Sequence, residues 1–151
     1  MPDYPPKLAE LVDLLSLAGG RSERIQLLID TAERFRDVPE RVARRPFAED
    51  HKVPACESEA YVWAEPLPDG TLKYHFAVEN PQGISAKALA VILDETLSGA
   101  PPAEVAAVPE DVVYRIFGAE LSMGLTSMVG MTQHTARRAL DARLAAQSTQ
   151  A

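Results

Sequence analysis

The sequence contains one cysteine, Cys56, and three histidines, His51, His75 and His134. An ionised thiol is a strong nucleophile, a metal ligand and the attacking group in thiol–disulfide exchange. Cys56 sits in the run His51-Lys52-Val53-Pro54-Ala55-Cys56-Glu57-Ser58-Glu59. His51 and Lys52 favour the thiolate, whereas Glu57 and Glu59 oppose it, and the two pairs balance on sequence alone. By residue type, a lone cysteine is most often a small buried hydrophobe. The position of Cys56 points the other way. It follows a proline and precedes three polar residues, which is a loop context from which a thiol can reach another molecule.

The residue counts exclude several chemistries. One cysteine cannot form an internal disulfide, nor can it supply a multi-cysteine zinc site or a cluster held by several thiolates of one chain. Histidines at 51, 75 and 134 do not make a recognisable metal site, so neither metal nor cofactor is expected. A cysteine hydrolase or acyl-transfer enzyme with His51 or His75 as base would also need an oxyanion loop and an orienting carboxylate, and no segment supplies them. His51 reads either as a solvated loop histidine or as a group that orients the thiol. His75 alternates with Tyr74 and Phe76 and is expected on the solvent face of a strand. His134 is expected to be exposed on the last helix. Arg44-Arg45 reads as a solvated charge run.

The net charge is −7, which argues against nucleic acid and against an anionic membrane surface as partners. No apolar run approaches the ~20 residues of a membrane span. The start Met1-Pro2-Asp3-Tyr4-Pro5-Pro6 lacks the basic and apolar regions of a signal peptide. A single thiol suits a reducing compartment. A cytoplasmic location is the expectation.

The elements around Cys56 can be read from period and punctuation. Pro5-Pro6 opens a helix with Leu8, Leu11, Val12 and Leu15 on one side, and Gly19-Gly20 stops it. Ser22 is a candidate cap for a second helix carrying Ile25, Leu28, Ile29, Ala32 and Phe35. Pro39 is a candidate start for a short third helix with Val42. The stretch from Arg44 to Cys56 has two prolines and no period, and reads as an ordered loop. Residues 60–78 form a β-hairpin: two apolar, aromatic-rich runs flank Pro66-Leu67-Pro68-Asp69-Gly70, in which Asp-Gly provides the turn. In the second run Tyr74, Phe76 and Val78 are expected to face the core. A helix from Ile84 to Ser98 places Leu89, Ile92, Leu93, Thr96 and Leu97 inward. A turn of helix from Pro102, a helix carrying Val112, Val113, Ile116 and Phe117, and a long last helix from Ser122 or Thr126 to about Ala145 complete the chain. The fold class is α+β, a small antiparallel sheet covered by helices. The 151 residues suit one domain spanning 1–151, ordered from about residue 7 to residue 146.

Lys52-Val53-Pro54-Ala55-Cys56-Glu57-Ser58-Glu59-Ala60-Tyr61-Val62-Trp63 resembles the cysteine loop of the SufE/CsdE family, approximately Val-Pro-Gly-Cys-Gln-Ser-Gln-Val-Trp. The resemblance extends to Ala86-Lys87-Ala88-Leu89-Ala90-Val91-Ile92-Leu93, to Ser98-Gly99 with Pro102-Ala103-Glu104-Val105, and to Phe117-Gly118-Ala119-Glu120-Leu121-Ser122. It thus covers about Leu8 to Leu140. It implies a SufE/IscU-like fold and a sulfur acceptor. A SufS-like, PLP-dependent cysteine desulfurase would donate persulfide sulfur to Cys56, and a SufBCD-like scaffold complex would receive it for iron–sulfur cluster assembly. The chain would be a persulfide relay that stimulates the desulfurase rather than an independent enzyme. His51, Lys52, Glu57, Ser58 and Glu59 would form the partner-binding rim.

The sequence departs from the family pattern at several positions. Ala55 replaces the glycine before the cysteine, Glu57 and Glu59 replace glutamines, and Asn80-Pro81 replaces a Ser-Asp type pair. Leu125 stands where the family's Leu-Ser/Thr-Pro-Ser-Arg has its arginine. These changes leave open an alternative, a non-catalytic adaptor that binds desulfurase or scaffold without carrying sulfur.

Overall fold

The computed structural model describes residues 4–54, 59–80, 83–109, 111–118 and 125–149, with the backbone alone for 125–129 and 149. Its elements are α1 (Pro6–Ser16), α2 (Arg21–Ala32), a 3-10 turn (Glu49–His51), β1 (Ala60–Pro66), β2 (Leu72–Val78), α3 (Ile84–Leu97), α4 (Pro102–Ala106), α5 (Val112–Phe117) and α6 (Leu125–Thr149). This is the expected α+β order, with a two-stranded antiparallel sheet.

α1 starts on Pro6 at its first position and buries Leu8, Val12 and Leu15. α2 differs from expectation at both its cap and its face. It begins at Arg21 rather than behind a Ser22 cap, and the Glu23 carboxylate accepts the Gly19 N–H instead. Only Leu28 is buried on it. Ile25 and Ile29 are 41% and 37% exposed, because α2 meets α3 along one narrow stripe. Pro39 starts no helix. Val42 and Ala43 donate to its carbonyl at 2.9 and 3.2 Å in a single turn, and Pro46 disfavours helical geometry in the residue before it.

The hairpin pairs Ala60 with Val78 through to Pro66 with Leu72. Its turn is closed by the Leu67 N–H on the Thr71 carbonyl at 2.8 Å, and the Asp69 carboxylate accepts the Thr71 N–H at 2.9 Å. Gly70 has φ +88°, a region that favours glycine. Both faces of β2 are covered, not one. Leu72, Tyr74, Phe76 and Val78 join the main core against α3, whereas Ala77 packs with Val38 and Trp63 in a second cluster capped by Val42, Phe47 and Tyr61. The loop before the 3-10 turn lies across that second face and is pinned to it by the Val38 N–H on the Phe76 carbonyl at 3.0 Å.

α3 is buried almost all round, with Ala86, Ala88, Leu89, Ala90, Val91, Ile92, Leu93, Thr96 and Leu97 inside. A helix of this kind is central rather than amphipathic. α5 buries Val112, Val113, Ile116 and Phe117. α6 sets Met131, Thr135 and Ala139 inward at four-residue spacing. It continues four residues beyond the expected end because Ala145, Ala146 and Gln147 favour helix and nothing stops it. The expected start at Ser122 lies outside the described residues. Among the described residues no helix is long and apolar enough to cross a membrane.

Candidate functional site

The cysteine segment is held at both ends. Upstream, the 3-10 turn Glu49–His51 closes on the Ala48 carbonyl, and Lys52 forms an isolated antiparallel bridge with Tyr61. Val53 then donates its N–H to the Ala60 carbonyl at 2.8 Å. Residues 52–53 therefore lie along the outer edge of β1, opposite β2. Downstream, Glu59 accepts the Glu79 N–H at 3.2 Å and has φ +51°, a left-handed backbone that costs a non-glycine residue about 1–2 kcal/mol. It turns the chain into β1. Cys56, Glu57 and Ser58 lie between these anchors, outside the described residues.

Of the other rim residues, Lys52 is partly buried and Glu59 is exposed. His51 is not a free loop histidine. Its Nδ1 is 3.2 Å from the Val62 carbonyl, and its ring stacks on Trp63 with centroids 5.4 Å apart. A carbonyl can only accept, so Nδ1 carries the proton and Nε2 keeps the lone pair in the neutral ring. Trp63 also meets Phe47 edge-on at 4.8 Å. The aromatics of β1 thus tie the 3-10 turn to the sheet.

Two histidine expectations are corrected. His75 is 9% exposed, with Nε2 3.0 Å from the Glu65 carboxylate. A buried polar ring needs a partner, and Glu65 opposite Lys73 in the hairpin supplies it. Hydrogen bonds from Arg41 first, then His75, hold the Glu65 carboxyl down at about 2. His134 is partly buried, and its Nε2 is buried with no partner among the described residues. Its position three residues after buried Met131 was the available signal, because that spacing sets it beside the core stripe. Arg44 and Arg45 are both exposed, as a solvated charge run would be, and Arg45 in addition bridges Asp37 at 2.8 Å and Glu79 at 2.7 Å, with its guanidinium 4.7 Å from the Phe47 ring centroid. It clamps the loop to the end of β2 rather than offering a docking patch.

Sequence reasoning also missed Gly130. A Cβ there would lie 3.2 Å from the Pro54 carbonyl oxygen and 3.4 Å from Val53 Cγ1. α6 therefore packs directly on the foot of the cysteine segment. Two grooves, of about 760 and 580 Å³, lie elsewhere. The first runs between residues 33–39, β2 and α3, and the second between the hairpin turn, α4 and the end of α6.

The SufE family model, described as Fe-S metabolism associated domain, matches residues 9–139. A solved structure described as the solution structure of a hypothetical protein from Thermus thermophilus is similar throughout. It shares 26% identity at a TM-score of 0.65, covering 91% of this chain and 98% of that one. No curated protein matches.

Proposed function

Because this chain belongs to the SufE family and so to iron–sulfur metabolism, we propose that it is a sulfur acceptor that carries persulfide on Cys56. The observation that carries the reading is the placement of the only thiol. It lies within the family domain, between two hydrogen-bonded anchors at Val53 and Glu59. A short segment fixed at both feet can present a side chain to a partner while the fold behind it stays rigid.

The transfer is an exchange reaction. The Cys56 thiolate attacks the outer sulfur of a persulfide on the partner's cysteine. A new sulfur–sulfur bond forms to Cys56, the partner's sulfur–sulfur bond breaks, and the partner's thiolate leaves with the electron pair. No net oxidation occurs, and a second cysteine in the acceptor is not required. PLP chemistry belongs to the donor, a cysteine desulfurase. The receiver is a scaffold that builds the cluster, and the setting is the cytoplasm. His51, Lys52 and Glu59, with Glu57 and Ser58, form the rim that meets the partner.

The test is sulfur loading from a cysteine desulfurase, compared between the natural protein and Cys56→Ser. Sulfur on the first alone supports the relay. Desulfurase stimulation that survives Cys56→Ser would instead assign the chain as an adaptor.

A further inference from the structure

The groove between the hairpin turn, α4 and the end of α6 has a volume of about 580 Å³. It sits at the turn end of the hairpin, the length of β1 away from the cysteine segment, or about 20 Å at ~3.3 Å per residue. It is therefore separate from the sulfur site. Its walls are fixed by the core. Leu72 is 3% exposed, and its carbonyl accepts the Gly99 N–H at 3.0 Å, which ties the approach to α4 onto β2. Fully buried Val105 anchors α4 itself. The walls offer little to a polar ligand. Pro66, Pro101 and Pro102 have no N–H, and the side chains of Leu72, Ala103 and Ala142 are hydrocarbon. The Thr71 N–H and hydroxyl both bond to Asp69, the Gly70 N–H bonds to the Leu67 carbonyl, and the Pro101 carbonyl accepts from Glu104 and Val105. An extended peptide laid here would leave its own amides poorly satisfied. Arg143 is the exception. It alone brings a charge to the described lining, and it is exposed. It makes no ion pair among the described residues, whereas Arg137 on the same helix pairs with Asp141.

We propose that this groove binds a small aliphatic carboxylic acid, its chain against the prolines and alanines and its carboxylate on Arg143. A rigid, largely apolar cavity with one convergent charged group is the common form of a small-molecule site, and such sites run from about 300 to 1,000 Å³. The planar guanidinium meets a carboxylate through two parallel hydrogen bonds. A neutral apolar molecule gains the wall contacts but not that pair. A cationic one meets a like charge. The proposal is independent of sulfur carriage by Cys56.

The experiment is a titration of the full chain with octanoate, octanol and octylammonium, followed by amide chemical shifts. The expected result is a saturable shift with octanoate at Gly70, Thr71, Leu72, Ala103 and Ala142. Octanol binds the same place about fivefold more weakly, as the loss of one partly exposed charge pair allows, and octylammonium more weakly still. Arg143→Gln, a substitution at an exposed helical position, weakens octanoate about fivefold and leaves octanol unchanged. Ala145→Leu, which adds bulk to the wall, weakens both. Absence of a saturable shift, or shifts centred on other residues, overturns the proposal. So does octanol binding as tightly as octanoate, octanoate binding that is indifferent to Arg143→Gln, or binding that is indifferent to Ala145→Leu. Shifts at the same amides that grow with protein concentration alone would give the groove to a second copy of the chain, and would overturn it too.

Discussion

Replacing Gly130 by alanine adds one methyl group at the contact between α6 and the cysteine segment. In an open helical position this change stabilises by about 1 kcal/mol, the difference in helix propensity. Here the new carbon would stand 3.2 Å from the Pro54 oxygen and 3.4 Å from Val53 Cγ1, tighter than ordinary carbon contacts of about 3.5–4.0 Å. Val53 is fully buried and its N–H is hydrogen-bonded to Ala60, so it cannot move freely. The segment must shift by a few tenths of an ångström or α6 must retreat. Overpacking of this kind costs about 1–3 kcal/mol. The propensity gain offsets part of that, which leaves a net loss of about 0–2 kcal/mol. Urea denaturation measures the net change, and sulfur uptake measures the displacement of the segment. Stability is expected to be unchanged or modestly lower, with uptake clearly slower. A full gain of about 1 kcal/mol with normal uptake would refute the seat that Gly130 provides.

Three further predictions concern the hairpin. Glu65→Ala leaves the buried His75 ring without its carboxylate partner and is expected to destabilise by about 1–3 kcal/mol, read by chemical denaturation. The Glu65 carboxyl titrates near 2 when folded, against 4.5 ordinarily. Its stabilisation is present above pH 4.5 and is lost as pH falls from there toward 2, so Glu65→Gln flattens the stability profile in that window. Tyr74 is fully buried and its hydroxyl has no partner among the described residues. Tyr74→Phe is therefore expected to be neutral or to stabilise by up to about 1–3 kcal/mol; a comparable loss in thermal denaturation would mean that the hydroxyl has a partner.

The elements whose signals are local were legible in the sequence. Asp69-Gly70 between two aromatic runs located the hairpin, and the dense apolar run of Ala86 to Leu97 located the central helix. What was not legible depends on what the rest of the chain lays over each face. Strand alternation set His75 outside because it cannot report that Val38 and Phe47 cross the second face of the sheet. Helical period offered Ile25 and Ile29 as core residues, although α3 is in contact with only one stripe of α2. His134 read as an exposed position and Gly130 carried no signal of its own, because neither position reports that the foot of the cysteine segment lies against α6. Cys56 was singled out as a candidate by its type and its flanking residues, and the backbone anchors at Val53 and Glu59 became visible only in the fold.

Sulfur transfer to Cys56 is read by intact mass after incubation with a cysteine desulfurase, PLP and L-cysteine in the absence of reductant. The expected result is a gain of one sulfur, about 32 Da, on the natural protein and none on Cys56→Ser. No gain on the natural protein, with its complex with the desulfurase shown to form, would contradict the relay and return Cys56 to a structural role.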